Sequence, residues 1–223
     1  MSEGERPALH VKPSGAWRDG WPDRAAWQAF IVGAIKVQLV WLVVYGGASW
    51  ITEQRSTRFD FSTPLDAKTP FVPAAAIVYM LLLPLLWVAP FVLRAPAAIG
   101  QFAKSLQILI LLSGIGFLLL PSNDPIVPTP LGGLSGLVFN FADAINLKHN
   151  LFPSLHVGMA VVCADAYGQH LPPLATCLCW AAATGIALAT LLTYQHYIAD
   201  VVAGGATGWL VALYMLRSPN LSA

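Results

Sequence analysis

The sequence predicts an all-α fold: a polytopic membrane protein whose six transmembrane helices pack as a bundle. Two observations point there. Of the 223 residues, 57% are hydrophobic and only 10% are charged, against about 25% charged in soluble domains. The apolar residues also gather into six runs, each close to the roughly 20 residues that cross a bilayer as a helix.

The elements follow in chain order. Residues 1–27 are polar and read as an amino-terminal interfacial segment, with Trp17, Trp21 and Trp27 suited to the headgroup region. This segment lacks the apolar core and small-residue cleavage site of a signal peptide. The first span is expected at 31–51, "IVGAIKVQLVWLVVYGGASWI", with Lys36 snorkelling to the interface. The second, 71–93, contains Pro73, Pro84 and Pro90. These should bend it, which bilayer helices tolerate where neighbours satisfy the freed carbonyls. The third covers 103–120 and ends in "GIGFLLL". A loop at 121–150 opens with the Pro- and Gly-rich "PSNDPIVPTPLGG"; a loop that long is usually functional or disordered. Spans four, five and six are expected at 153–169, 172–192 and 196–216. The membrane domain then occupies 28–217, with a tail at 218–223.

Charge and cysteine content narrow the function. A net charge of +1 gives no basic surface for nucleic acid. Cys163, Cys177 and Cys179 lie within apolar runs and are odd in number, so no disulfide framework is implied. They read as apolar filler. Six spans put both termini on one side. Arg6, Lys12, Arg18, Arg24, Arg94, Lys104 and Arg217 fall on that side; Arg55, Arg58, Lys68 and Lys148 fall on the other. The excess of basic residues marks the terminal side as cytoplasmic.

Two stretches on the opposite, extracytoplasmic side carry chemistry. "NLFPSLHVGMA", 150–160, sets Pro153, Ser154 and His156 at the start of span four. Proline suits the first position of a helix, and the free N–H groups and dipole of a first turn attract anions. Ser154 adds a hydroxyl donor. "TYQHYIADVVAGG", 193–205, sets His196 and Asp200 four residues apart, on one helical face. Asp200 can accept a hydrogen bond from one imidazole nitrogen, which fixes the tautomer and makes the other nitrogen the better nucleophile or base. Either histidine alone would read as an interface residue, and an HxxxD spacing arises by chance. Asp200 weighs more, because an ionisable group inside a span is costly and marks function by default. Asp165, near the cytoplasmic end of span four, reads as structural.

"FPSLH" followed about forty residues later by "QHYIADVVAGG" resembles the membrane-bound type-2 phosphatidic acid phosphatase superfamily. The resemblance covers spans four to six, and the first half by span count. It implies that His196 attacks phosphorus to form a phosphohistidine, that His156 protonates the leaving group and that Asp200 orients His196. It implies no metal and no cofactor. The family's Ser-Arg pair would fall on Ala189 and Thr190, and its first motif is missing after Lys104, so several cations that clamp phosphate are gone. In this the chain is similar to the inositol phosphorylceramide synthase and sphingomyelin synthase branch. Lys148 and His149 are the nearest replacements, with Arg55, Arg58 and Lys68 further off. A phosphomonoester carries up to about two charges near neutral pH and a diester one, so a cation-poor site suits the diester. The expected function is cleavage or transfer of a lipid phosphate ester, in the bilayer, on the extracytoplasmic face. The motifs leave the acceptor and the oligomeric state open. The alternatives are a non-catalytic transporter or scaffold of the same fold, and a metal hydrolase using His156, His196 and Asp200 as ligands.

Overall fold

Asp23 starts the first helix: its carboxylate accepts the N–H of Ala26 at 2.7 Å, satisfying one of the free donors of a helix start. Helix α1 runs Arg24–Glu53, so it begins inside the segment assigned to the amino-terminal region. The computed structural model describes residues 20–125, 131–147 and 149–217. Trp17 and the basic residues Arg6, Lys12 and Arg18 lie outside them. Trp21 and Trp27 both meet Phe91 edge-on, at 5.5 and 5.6 Å between ring centroids. Over Leu42–Gly46, α1 widens into a π turn, a feature frequent at functional sites. The Tyr45 carbonyl in that turn accepts from Asn150 Nδ2 at 2.6 Å. That bond ties α1 to the segment leading into "FPSLH".

The expected second span is a series of short pieces. Helix α2, Pro73–Trp87, begins as a 3-10 turn and divides into Ala76–Tyr79 and Leu82–Trp87; α3 is Ala89–Leu93. The break follows from Pro84, which has no N–H to offer the Met80 carbonyl. Leu83 donates to that carbonyl instead, at 3.1 Å.

Helix α4, Pro96–Leu119, matches the third span. The segment 121–150 was expected as a loop, yet it contains a helix, α5, Gly133–Ile145. Its Pro- and Gly-rich opening hid the apolar stretch "LVFNFADAI", which buries Phe139 and Ala142. Residues 126–130 lie outside the described set. Helices α6, Leu155–Gly168, α7, Pro173–Leu192, and α8, Ile198–Leu216, complete the chain. Pro153 is not the first residue of α6. It precedes the N-cap Ser154 and follows a cis peptide bond.

Among the described residues four helices are long and apolar enough to cross a membrane: α1, α4, α7 and α8. The expected spans two and four correspond to shorter apolar helices, Pro73–Trp87 and Leu155–Gly168. Length alone therefore supports a helical membrane protein with four of the six expected crossings. Helix α6 is short but central: 11 of its 14 residues are buried, so it needs no lipid-facing side. The described residues contain no strand, only an isolated bridge between Phe59 and Ser122.

A seam of glycines locks α6 to α8. A Cβ on Gly204 would stand 2.2 Å from the Ser154 carbonyl oxygen, and one on Gly208 2.5 Å from that of Gly158. Where lipid replaces water there is little hydrophobic drive between helices, so close backbone approach supplies the packing. At the opposite end of the bundle the Arg217 guanidinium bonds the buried Asp165 carboxylate. That gives Asp165 its structural role.

The seam makes a paired prediction. Gly204→Ala should push α6 from α8, with an overpacking cost of about 1–3 kcal/mol, lowering Tm and activity together. Gly205→Ala is its control: the nearest atom is 3.8 Å away, and alanine favours a helix interior by up to about 1 kcal/mol. Thermal melts of both variants in one detergent would test this; equal Tm values would contradict the seam.

Candidate active site

The loops at one end of the bundle are tied together. Phe59 N–H donates to the Pro121 carbonyl at 2.8 Å, and Val72 N–H to the Leu192 carbonyl at 2.7 Å. Tyr194 OH donates to the Thr69 carbonyl at 2.8 Å. Asp66 joins this lacing: one carboxylate oxygen accepts the N–H of Ile198, the first residue of α8, at 2.8 Å, and the other accepts from Thr63 N–H and Oγ at 2.7 and 2.6 Å. The loop between α1 and α2 thus caps the helix that carries Asp200.

His196 does not lie on a helix. It occupies the turn before α8, where its N–H and that of Gln195 share the Thr190 carbonyl, at 3.3 and 3.0 Å. Tyr194, with φ 53°, makes that turn sharp. The imidazole still reaches Asp200: Nδ1 stands 3.6 Å from Oδ2. This is slightly long for a hydrogen bond. Asp200 Oδ2 meanwhile accepts the Tyr197 N–H at 2.8 Å. Asp200 is fully buried. Its Oδ1 and the His196 Nδ1 are buried atoms without a hydrogen-bond partner. A carboxylate oxygen 3.6 Å from an unpartnered ring nitrogen is a pair that a small rotation of the imidazole would close, and the gain grows when the ring becomes cationic.

The two motifs meet through the backbone. Ser154 N–H donates to the Asp200 carbonyl at 3.0 Å, so the start of α6 is fastened to the first turn of α8. Ser154 Oγ accepts the Val157 N–H at 3.5 Å. Ser154 is fully buried and does not line the cavity described below; its position is that of a helix cap. Two residues on, His156 stacks on Tyr79 with centroids 4.0 Å apart, and its Nδ1 lies 3.1 Å from the Tyr79 hydroxyl.

His156 and His196 line one cavity of about 590 Å³. Its apolar wall comes from α1 and α2, through Val37, Trp41, Leu83 and Leu86; its polar end adds Asn146, Gln195, Asp124 and Asp143. Among the described lining residues there is no lysine or arginine. The proposed replacement cations do not converge on it. His149 turns its ring to Asp124, 3.6 Å away, and to the Ser122 carbonyl at 3.0 Å. Arg55 bonds the Leu118 carbonyl and Arg58 those of Arg55 and Thr57; both close off helix ends. Lys148 lies outside the described residues. No group of three His, Cys, Asp or Glu among the described residues could hold a metal ion, so the metal-ligand reading of His156, His196 and Asp200 has no cluster to rest on.

Sequence reasoning missed Tyr79, Asn146, Gln195 and Asp143, which surround the two histidines. Gln195 is the direct neighbour of His196, and Asp143 is an ionisable residue in an apolar stretch, which was a usable signal. Tyr79 lies in the proline-broken span, where nothing in the pattern singles it out.

Fold and site together define a helical membrane protein with paired histidines at the mouth of an apolar cavity. The family model of the PAP2 superfamily matches residues 52–214, and the chain belongs to that superfamily. Its members are in general phosphoesterases. The match begins at the end of α1, so most of that helix stands outside it. Comparison with curated proteins gives no match.

Asp200→Asn tests the pairing. The amide can still accept the Tyr197 N–H, so the variant should insert and melt like the parent. It cannot balance charge on His196, so turnover of lipid phosphate should fall at least about a hundredfold, some 2.7 kcal/mol of barrier. Near-parental turnover would make Asp200 a structural residue.

Proposed function

We propose that this protein cleaves or transfers a lipid phosphodiester through a phosphohistidine on His196, at the extracytoplasmic face. The observation that carries this reading is that His156 and His196 line one cavity, each with a different partner behind it. Nucleophile and acid need such opposed environments. In the first half-reaction His196 Nε2 bonds to phosphorus as the ester P–O bond breaks. His156 gives its proton to the departing oxygen. In the second, the acceptor oxygen attacks phosphorus, its proton returns to His156, and His196 is released. Water as acceptor gives a phosphatase and an alcohol gives a phosphotransferase, through the same intermediate.

The diester is favoured by charge. Asp124 and Asp143 line the cavity and no described cation does, so a dianion would meet carboxylates with nothing to offset them, whereas a monoanion is repelled about half as much. The apolar wall between α1 and α2 offers room for a chain still in the bilayer. This agrees with the likeness to the inositol phosphorylceramide synthase and sphingomyelin synthase branch. Lys148 remains a proposed neighbour of the phosphate; Ser154 and His149 would act instead by positioning α6 and Asp124. The face follows from the basic-residue asymmetry and from passages of α2–α3 and α6 across the bilayer, which brings the crossings to six.

The test uses sealed, right-side-out vesicles carrying the protein. Short-chain diester and monoester lipids are added outside, with and without a long-chain alcohol. The diester should be consumed without permeabilisation, at a kcat/KM at least about tenfold above the monoester, equivalent to ~1.4 kcal/mol. His196→Gln should abolish both. Preference for the monoester would overturn the substrate class, activity only after permeabilisation the face, and activity of His196→Gln the mechanism.

A further inference from the structure

His156 lacks an adjacent carboxylate, yet a chain of polar side chains leads from it to one. Its Nδ1 meets the Tyr79 hydroxyl at 3.1 Å. The same hydroxyl lies 3.1 Å from Asn146 Oδ1 and 3.0 Å from Asn146 Nδ2. Asn146 Nδ2 donates to Gln195 Oε1, and Gln195 Nε2 donates to Asp143 Oδ1 at 3.2 Å. Four separate pieces of the fold contribute: α2, the end of α5, the turn before α8, and α6 itself.

The carboxylate at the far end sets the direction of the whole chain. An ionised carboxylate only accepts, so Gln195 must present its amide nitrogen to Asp143. Its oxygen then faces Asn146 and requires the nitrogen of that amide. Asn146 Oδ1 is left as an acceptor for the Tyr79 hydrogen, and the Tyr79 oxygen is left as an acceptor for His156 Nδ1–H. Apart from the second Asn146 Nδ2 hydrogen, which the Tyr79 oxygen accepts at 3.0 Å, every donor points towards Asp143. Hydrogen bonds aligned in this way polarise one another.

We infer that Tyr79, Asn146, Gln195 and Asp143 form a positioning relay that keeps a proton on His156 Nδ1 and supports positive charge on that ring, so that Nε2 is the nitrogen that exchanges its proton with the leaving oxygen. The inference rests on the proposed reading of His156 as the acid. It makes the two histidines parallel: His196 is backed directly by Asp200, and His156 is backed at a distance by Asp143. Tyr79 keeps its own proton throughout. When His156 Nε2 gives its proton to the departing alcohol, the ring is left neutral with hydrogen on Nδ1, and it regains the Nε2 proton from the acceptor in the second half-reaction. The relay acts on the acid and not on the phosphate.

Tyr79→Phe cuts the relay and leaves the stacked ring in place. Asp143→Asn keeps an oxygen for Gln195 and removes the anchoring charge. Each is assayed on a lipid with an alkyl leaving group and on an activated aryl phosphate diester. General acid help is worth about 10²–10⁴-fold, so losing part of it should lower kcat on the lipid about 10- to 100-fold for Tyr79→Phe and less for Asp143→Asn. KM should stay within about twofold, and aryl ester turnover within about threefold, since an activated leaving group needs little protonation. The second readout is independent of turnover. In ¹⁵N-histidine-labelled protein, the His156 signal, assigned by its loss in His156→Gln, should report a protonated Nδ1, and Tyr79→Phe should change that state. Equal losses on both substrates, or an unprotonated Nδ1 in the parent, would overturn the relay. If His196→Gln retained activity, the wider reading would fall instead, and the ¹⁵N result would still decide the tautomer.

Discussion

The site depends on the contact between α6 and α8. Two sequence motifs some forty residues apart form one site only because backbone meets backbone there: Ser154 N–H on the Asp200 carbonyl, with Gly204 and Gly208 leaving the space. Any side chain at Gly204 would strike the Ser154 carbonyl and carry His156 away from His196. The contact also determines burial. It encloses Asp200 completely, and a fully enclosed carboxylate is held in place by what surrounds it. Its partners are the Tyr197 N–H and the His196 ring beyond hydrogen-bond distance.

Around that fixed point the protein handles charge in an unusual way for an anion site. The described cavity lining offers carboxylates, amides and a phenol, and no lysine or arginine. The basic residues nearby serve helix ends: Arg55 holds the last turn of α4 through the Leu118 carbonyl, and Arg58 closes α1 through the Glu53 carbonyl at 3.4 Å. On the proposed reading, stabilisation of the reacting phosphate comes from the histidines, backed by Asp200 and, through the relay, by Asp143. Such an arrangement costs less for a monoanion than for a dianion, because the carboxylates that support the imidazoles also repel the substrate. The proposed substrate class and the proposed catalytic support thus rest on the same carboxylates.

Much of this was legible in the sequence, and the failures have physical reasons. Apolar runs located α7 and α8 within two residues, and α1 and α4 with starts about seven residues late, because lipid demands long apolar helices. Residues 73–93 also read as apolar, but Pro84 divides that passage and Asp143 hides inside an apolar stretch that pattern reading took for loop. His196 and Asp200 could be paired in the sequence because their spacing is local and a carboxylate inside a span is costly; His156 was named from its motif. Ser154 was legible as a motif residue but not as a cap: its partners, Val157 and Asp200, are set by how α6 starts and by how α8 docks. Tyr79, Asn146 and Gln195 became visible only in three dimensions. They come from separate elements, and their meaning lies in the direction of the hydrogen bonds between them. His149 illustrates the reverse case, close in sequence to the motif yet turned to Asp124 and Ser122.

The central claim is that phosphorus is carried on His196. It is tested most directly by locating the bond. The purified protein is mixed with a lipid phosphodiester bearing a labelled head group, quenched in alkali after a few milliseconds, digested and sequenced by mass spectrometry. The account predicts an acid-labile, alkali-stable phosphoryl head group on the peptide containing "QHYIAD", at His196, absent from His196→Gln and chased away by added acceptor. A label on His156, or turnover with no covalent phosphorus on any histidine, would contradict it.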